Sequence, residues 1–527
     1  MTTHADPDTI PAGQESGAPP GQRLTLLAVL LAVFVVPMSI SGTAVALPGI
    51  GADTHASLAP LQWVVNAFNV AFACFTLVWG SVADIIGRAR AFAAGAAVFA
   101  VASLASALSG SVVLLDVARA LAGIGGAAIF SCGSAILSTV FSGAARAKAF
   151  ALFGTVAGVG VGLGPSLSGL LVQGLGWRWV FGLHALALAL VLLAVPVMFR
   201  TLREQPGGGR VDVPGSLLFV VAMGLLITGI VQGSQWGWAS AGVLGLFAAA
   251  LVVLAVFVVV ERRTAQPMLD LSVVANRRFL ALCLVPVAAS FGFVTLLTYL
   301  PSYLTAVHGE SSGMAGVLMV LLTLPVFLCP MLAAKLVARG IAPMTVIYAS
   351  LVCLVLGDAA LTLFSPSVAL GVVALPMLIT GAGMGLSAGL VDGQALELVP
   401  EEKAGMAAGF LNTLRLGSEA VAVAIYGALL ATLLTSKVRD SIGDFPGAGA
   451  PSEVAGKAAG GDFAGAAQHA APGVRHELTG FLTDAYDASF HTLLWILGAV
   501  CLVLFAVIGV LGRRGRNEAA AADAARI

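Results

Sequence analysis

Charge is what this chain has least of. Only 26 basic and 26 acidic residues occur among 527, so charged side chains make up 10% of the sequence, against about 25% in ordinary globular proteins. Hydrophobic residues reach 59%. A water-soluble fold of this length has no interior large enough for that much apolar surface, so lipid must cover it. The net charge of zero points to neither nucleic acid nor an acidic partner. Cysteine is scarce as well. Cys74, Cys132, Cys283, Cys329, Cys353 and Cys501 all fall inside apolar runs, where they act as small hydrophobes and suggest no disulfide or metal framework. The seven histidines show no ligand spacing, and no cofactor is expected. No phosphate-cradling loop is present, which excludes ATP-driven pumping by this chain alone. A membrane enzyme or receptor would need a catalytic constellation or a soluble sensory domain, and neither is visible.

The chain does have apolar stretches of about 20 residues, each able to cross a bilayer as a helix that satisfies its own backbone polar groups. They fall near 24–48, 61–82, 91–109, 112–137, 149–172, 179–199, 213–233, 240–260, 279–304, 314–334, 341–363, 367–391, 405–434 and 489–511. The fold expected is therefore an all-α membrane protein of fourteen transmembrane helices. Residues 1–23 read as a disordered polar tail. The first apolar run is too long for a signal-peptide core and is kept as a helix. Residues 24–199 form a six-helix bundle, 200–278 a linker with two further helices, 279–511 a second six-helix bundle, and 512–527 a tail. Gly207, Gly208 and Gly209 supply a hinge-like stretch in the linker. A six-plus-six plan suggests internal repeats around a site at the membrane midplane.

Basic residues orient the chain. Arg23, Arg88, Arg90, Arg146, Lys148, Arg200, Arg203 and Arg210 fall in alternate loops of the first half. Arg262, Arg263, Arg277, Arg278, Lys335, Arg339, Lys403, Arg513, Arg514 and Arg516 continue the pattern, whereas the opposite short loops hold only Arg178. Both termini are therefore expected in the cytoplasm of a bacterial cell. The long loop 435–488 then lies outside; its Gly- and Ala-rich sequence reads as flexible or weakly helical.

Two patterns look like chemistry and are not. Gly309-Glu-Ser311-Ser-Gly313 spells a hydrolase nucleophile elbow, but no strand precedes it, so Ser311 or Ser312 is expected to cap a helix. Gly123, Gly125 and Gly126 fit a loose dinucleotide pattern, yet lie within an apolar helix.

The informative motifs lie elsewhere. Between the second and third helices stands Gly80-Ser-Val-Ala-Asp84-Ile-Ile-Gly87-Arg88-Ala-Arg90. Gly80 lets two helices approach, Gly87 allows a tight turn, and Asp84 is an acid at a helix end near basic partners. The fourth helix carries Arg119 well inside the membrane, where an arginine is costly. The fifth carries Gly154, Gly158, Gly160, Gly162, Gly164, Pro165 and Gly169, a pliable, closely packed stretch. Together these resemble the gate loop, the second motif and the exporter-branch Gly-Pro motif of the major facilitator superfamily. Val45-Ala-Leu-Pro48, Trp177-Arg178-Trp179 and Asn412-Thr-Leu-Arg415 are similar to its fourteen-helix drug–proton antiporter branch.

That resemblance implies export of a small hydrophobic substrate in exchange for protons, by a monomer in the lipid bilayer. A proton-independent facilitator or importer of the same fold is the alternative. The chain departs from the branch where Ser39 replaces the usual acid of the first helix, His184 replaces asparagine, and Glu419 replaces glycine. Proton coupling is then either relocated or absent. The candidates are the intramembrane charges: Asp116 and Arg119, three apart on one helix face; Arg415 and Glu419, four apart on another; and Asp358. Asp392 reads as a structural partner of an arginine, and His184 as a satisfied interior histidine.

Overall fold

A computed structural model describes residues 20–56, 58–202, 210–238, 240–364 and 370–524. Most of the expected N-terminal tail, the Gly207–Gly209 stretch and Arg203 lie outside the described residues. Among those residues, fourteen helices are long and apolar enough to cross a membrane. We label them α1 (Pro20–Thr54), α2 (Pro60–Ile86), α3 (Arg88–Leu108), α4 (Val112–Val140), α5 (Gly143–Leu175), α6 (Arg178–Leu202) and α7 (Val213–Gly233). The second half comprises α8 (Ala241–Glu261), α9 (Arg277–Ala306), α10 (Met314–Ala338), α11 (Pro343–Leu361), α12 (Gly371–Glu397), α13 (Glu401–Asp444) and α14 (Arg475–Asn517).

Local chemistry starts and stops these helices. Asp212 caps α7 by accepting from Gly215 N at 2.9 Å, and Ser240 caps α8 through Val243 N at 3.3 Å. Ser311 accepts from Met314 N at 3.2 Å, the capping role expected of the false nucleophile elbow. Large apolar side chains remain exposed along the outer faces, Leu193 at 77% and Leu108 at 75% among them. Acyl chains, not water, suit such a surface.

α1 to α6 pack together as one bundle and α9 to α14 as another, with α2 against α13 and α5 against α10 across the interface. α7 joins α8 and rests on α2 and α13. Two irregularities face the interface: α9 loosens into a π-turn at Ser290–Val294, and α12 breaks at Gly389, whose φ of 76° only glycine adopts freely.

The segment 435–488, expected to be flexible or weakly helical, is largely helical. α13 and α14 extend into it, and the intervening residues form two short helices, Pro451–Ala459 and Phe463–Ala467. Val454, Ala455, Ala458, Phe463, Ala466 and Ala467 are buried beneath it. Small residues give little hydropathy contrast, so an Ala-rich packing face reads in sequence only as flexible or weakly helical. We call this the cap, and the membrane side it covers the cap face. The side carrying the α2–α3 loop is the gate-loop face.

Candidate functional site: a closed latch beneath a cavity

At the gate-loop face the two bundles meet backbone to backbone. A methyl group on Gly80 would lie 2.9 Å from the Gly405 carbonyl carbon and 3.1 Å from Gly409 Cα, so glycine alone permits this approach of α2 to α13. That approach brings Asp84 to the start of α13. Its two carboxylate oxygens accept from Gly405 N at 2.9 Å and Met406 N at 2.8 Å. An acid from the first bundle thus caps a helix of the second, with favourable orientation toward the helix dipole. Gly87, at φ 99°, turns the chain into α3. Arg88 then lies 3.7 Å from Asp84, donates to Thr139 Oγ1 of its own bundle and, across the interface, donates to the Glu401 carbonyl. Arg90 stays exposed and, among the described residues, reaches only Ile86 O of its own turn at 3.4 Å, so it is not part of the contact. Arg146 of α5 and Glu397 of α12 approach to 3.8 Å nearby. All these contacts close the gate-loop face.

Toward the cap face the bundles separate. A cavity of about 300 Å³, lined by Phe72, Phe130, Phe153, Phe293 and Phe327, adjoins a larger one of about 980 Å³ that reaches the cap at Gly456 and Ala459. The two share Ile40, Phe72, Val294, Leu416 and Glu419 as walls. Gln62, Asn66 and Asn69 add polar groups from one face of α2. Their spacing of four and three was a legible signal in an apolar helix, and sequence analysis overlooked it.

The intramembrane charges sort differently from the expected pairs. Arg415 turns away from Glu419 and forms an ion pair with Asp392 at 2.8 Å, supported by Asn412 Oδ1 at 2.9 Å. Asp392 therefore serves as the arginine's partner. Glu419 stands on the shared cavity wall with no ion pair within 4 Å and no hydrogen bond among the described residues. Arg119 likewise bypasses Asp116. It is fully buried, donates to Val64 O at 3.0 Å, Ser39 Oγ at 2.8 Å and Ser39 O at 3.3 Å, and stacks on Phe68 with 4.4 Å to the ring centroid. The residue in place of the usual acid is thus the arginine's partner, through a neutral hydroxyl. Asp116 keeps one buried oxygen unpartnered. His184 is buried against Phe99 and Phe181, and neither ring nitrogen meets a hydrogen-bond partner. It is interior but not satisfied, because its neighbours are aromatic rings and a donor-only arginine.

Asp358 is fully buried in α11 behind the π-turn of α9. Its only polar contact among the described residues is Cys501 Sγ at 3.6 Å. The glycines of α5 act in packing: a methyl on Gly160 would sit 2.6 Å from Phe34 O, and one on Gly164 would sit 3.0 Å from Met38 O. α5 runs unbroken through Pro165, and Gly169 is only loosely packed, with Val45 at 3.9 Å from a would-be methyl.

Known proteins share this plan. The chain is 31% identical over 417 residues to the multidrug resistance protein Stp of Mycobacterium tuberculosis, covering 79% of this chain and 77% of that one. It is 31% identical to the puromycin resistance protein pur8 of Streptomyces alboniger, covering 78% and 82%. Over 61% of its length it is 33% identical to the tetracenomycin C resistance and export protein of Streptomyces glaucescens, covering 60% of that protein. Among solved structures, human MFSD10 (TETRAN), an organic anion transporter, superposes at TM-score 0.58 with 17% identity, covering 93% of this chain and 100% of that one. The proton:xylose symporter XylE superposes at 0.54 with 14% identity, covering 83% and 94%. These two establish the fold alone. The profile of the Major Facilitator Superfamily matches residues 29–423, and the chain belongs to that superfamily as a fourteen-helix membrane transporter whose relatives confer multidrug and antibiotic resistance.

Proposed function

We propose that this transporter exports hydrophobic small molecules from a bacterial cell in exchange for protons, by alternating access, with both termini in the cytoplasm. One observation carries the reading. The interface is latched at the gate-loop face, while a cavity runs from mid-protein to the cap face. A site open to one side only is what alternating access requires. With the basic loops inside, this is the outward-facing state, in which substrate leaves and a proton enters. Such a proton meets Glu419 on the wall shared by both cavities. Arg415, held by Asp392, lies one turn away and favours the proton's later release. Asp358 is the second candidate, and Asp116 the third.

The phenylalanine lining suits flat or bulky apolar compounds. Relatives named for puromycin and tetracenomycin C resistance support the same substrate class. The Gly164-Pro165 stretch of α5, which resembles the exporter-branch motif, supports the exporter over the importer. Ser39 in place of an acid favours a second reading, a facilitator without coupling. Expression in a pump-deficient bacterium, challenged with puromycin, tetracenomycin C and hydrophobic cationic dyes, tests export. Inverted vesicles with an imposed pH gradient test coupling. Export predicts reduced toxicity of at least one compound and gradient-driven uptake by the vesicles. No protection and no uptake would refute export, and uptake indifferent to the gradient would favour the facilitator.

A further inference from the structure

Away from the cavity, at the gate-loop end of the extra helix pair, two carboxyl groups are buried together. Asp212 precedes α7 and is 6% exposed; Glu261 ends α8 and is 2% exposed. Both point into the space beside Gly215 Cα, near enough for one carboxyl to hydrogen-bond the other. Asp212 accepts from Gly215 N and, at 3.4 Å, from Met268 N. Glu261 Oε2 accepts from Leu269 N at 3.2 Å, while its Oε1 is buried and accepts no hydrogen bond. No arginine, lysine or histidine lies within 4 Å of either carboxyl among the described residues. Arg210, Arg262 and Arg263 are close in sequence but exposed, and Gln266 is engaged by Arg210 N at 2.8 Å. The other charged group on the adjoining segment, Asp270, is occupied by Lys403.

Buried carboxyls in contact, with no cation between them, do not both carry charge. One proton on Glu261 Oε1 would turn the unpartnered oxygen into a donor toward Asp212 and satisfy it. We propose that Glu261, with Asp212 as the acceptor beside it, is a proton-binding site that senses pH at the gate-loop face and controls the latch. The contacts between them are continuous. The carboxyl pair holds the amides of Met268 and Leu269; the next residue, Asp270, pairs with Lys403; and Lys403 lies in the first turn of α13, just before the Gly405 and Met406 amides that Asp84 accepts from. Loss of the shared proton sets two anions against each other, frees the 268–270 strap and slackens the Asp270–Lys403 tether on α13. Alkaline conditions at that face then open the latch. The extra helix pair acquires a role: it anchors a pH-responsive strap to the gate.

The inference rests on the latch being a moving gate, and its test needs no substrate, so failure of the export reading is separable from failure here. The measurement is hydrogen exchange of the full chain in nanodiscs between pH 6 and 8.5, corrected for intrinsic rates. It reads the amides of Met268 and Leu269 and of Gly405 and Met406. One titrating proton changes an opening equilibrium by at most about tenfold per pH unit. The parent should lose about tenfold or more protection at both pairs across the range, and Glu261→Gln and Asp212→Asn less than about twofold. Asp270→Asn should keep the pH response at Met268 and Leu269 but abolish it at Gly405 and Met406. That pattern also guards against mere misfolding of the carboxyl variants. Asp84→Asn serves as the control for gate opening. If it exposes Gly405 and Met406 while pH does not, the proton-sensing site is refuted. If neither perturbation moves those amides, the gate itself is refuted. A pH response unchanged in both carboxyl variants would likewise overturn the proposal.

Discussion

Replacing Asp84 by asparagine should open the latch while leaving the bundles folded. The side chain is only 12% exposed and accepts two backbone hydrogen bonds, at 2.9 and 2.8 Å, from a helix of the opposite bundle. Hydrogen bonds to a charged acceptor contribute about 1.5–3 kcal/mol each, neutral ones about 1. Asparagine keeps one acceptor oxygen but turns an amide NH2 toward the second N–H, and it no longer neutralises Arg88. The closed state should lose about 2–5 kcal/mol, taking the Asp84 contact as two charge-assisted bonds reduced to one neutral bond. At 1.4 kcal/mol per decade, the closed-to-open ratio falls by about 30- to 4,000-fold. Accessibility of the central cavity can be read by alkylation of Ala157→Cys with an impermeant thiol reagent added from either side. The variant should react from the gate-loop face at least tenfold faster than the parent and transport more slowly. Equal labelling from that face, with parental transport, would refute the idea that the charge of Asp84 holds the gate shut.

Other substitutions test the remaining groups. Glu419→Gln should abolish accumulation driven by a pH gradient yet permit downhill substrate exchange; unchanged accumulation in vesicles moves the coupling role to Asp358 or Asp116. Asp392→Leu strands the part-buried Arg415 and should cost stability, with about 3–5 kcal/mol as the fully buried limit, visible as a lowered melting temperature in detergent; a shift under 2 °C would argue against the pairing. Gly160→Leu forces α1 and α5 apart at Phe34 O and should eliminate transport, with expression reduced less than activity. Asp270 lies between the spans, where partial burial opposes its ionisation but donors from Lys403 and Ser272 prevail and bring its carboxyl to about 2. Because its folded value is depressed, the stabilisation is present above its unfolded value of about 3.9 and is lost as pH falls through about 2. Asp270→Asn should therefore weaken the tether at neutral pH and have no effect near pH 2, as read by exchange at Gly405 and Met406.

The sequence alone determined the helices and their count. Apolar runs of bilayer length leave the backbone no alternative to a helix, and Gly80, Asp84, Gly87 and Arg88 marked the gate because acid, arginine and glycines coincide in one short loop. Partners across the interface were another matter. Spacing suggested Arg415 with Glu419 and Arg119 with Asp116, since residues three or four apart share a face. Tertiary packing brought Asp392 and Ser39 closer, and a buried guanidinium takes the acceptors that geometry places in its plane. The cap was read only as flexible or weakly helical because alanine and glycine carry almost no periodic signal, and only contact with α13 and α14 makes a buried face of them. The Asp212–Glu261 pair was invisible for a related reason. Forty-nine positions separate the two acids, and each alone is an ordinary polar residue at the end of an apolar helix. Folding α7 back on α8 puts them in one dry site, where proximity rather than residue type decides their chemistry.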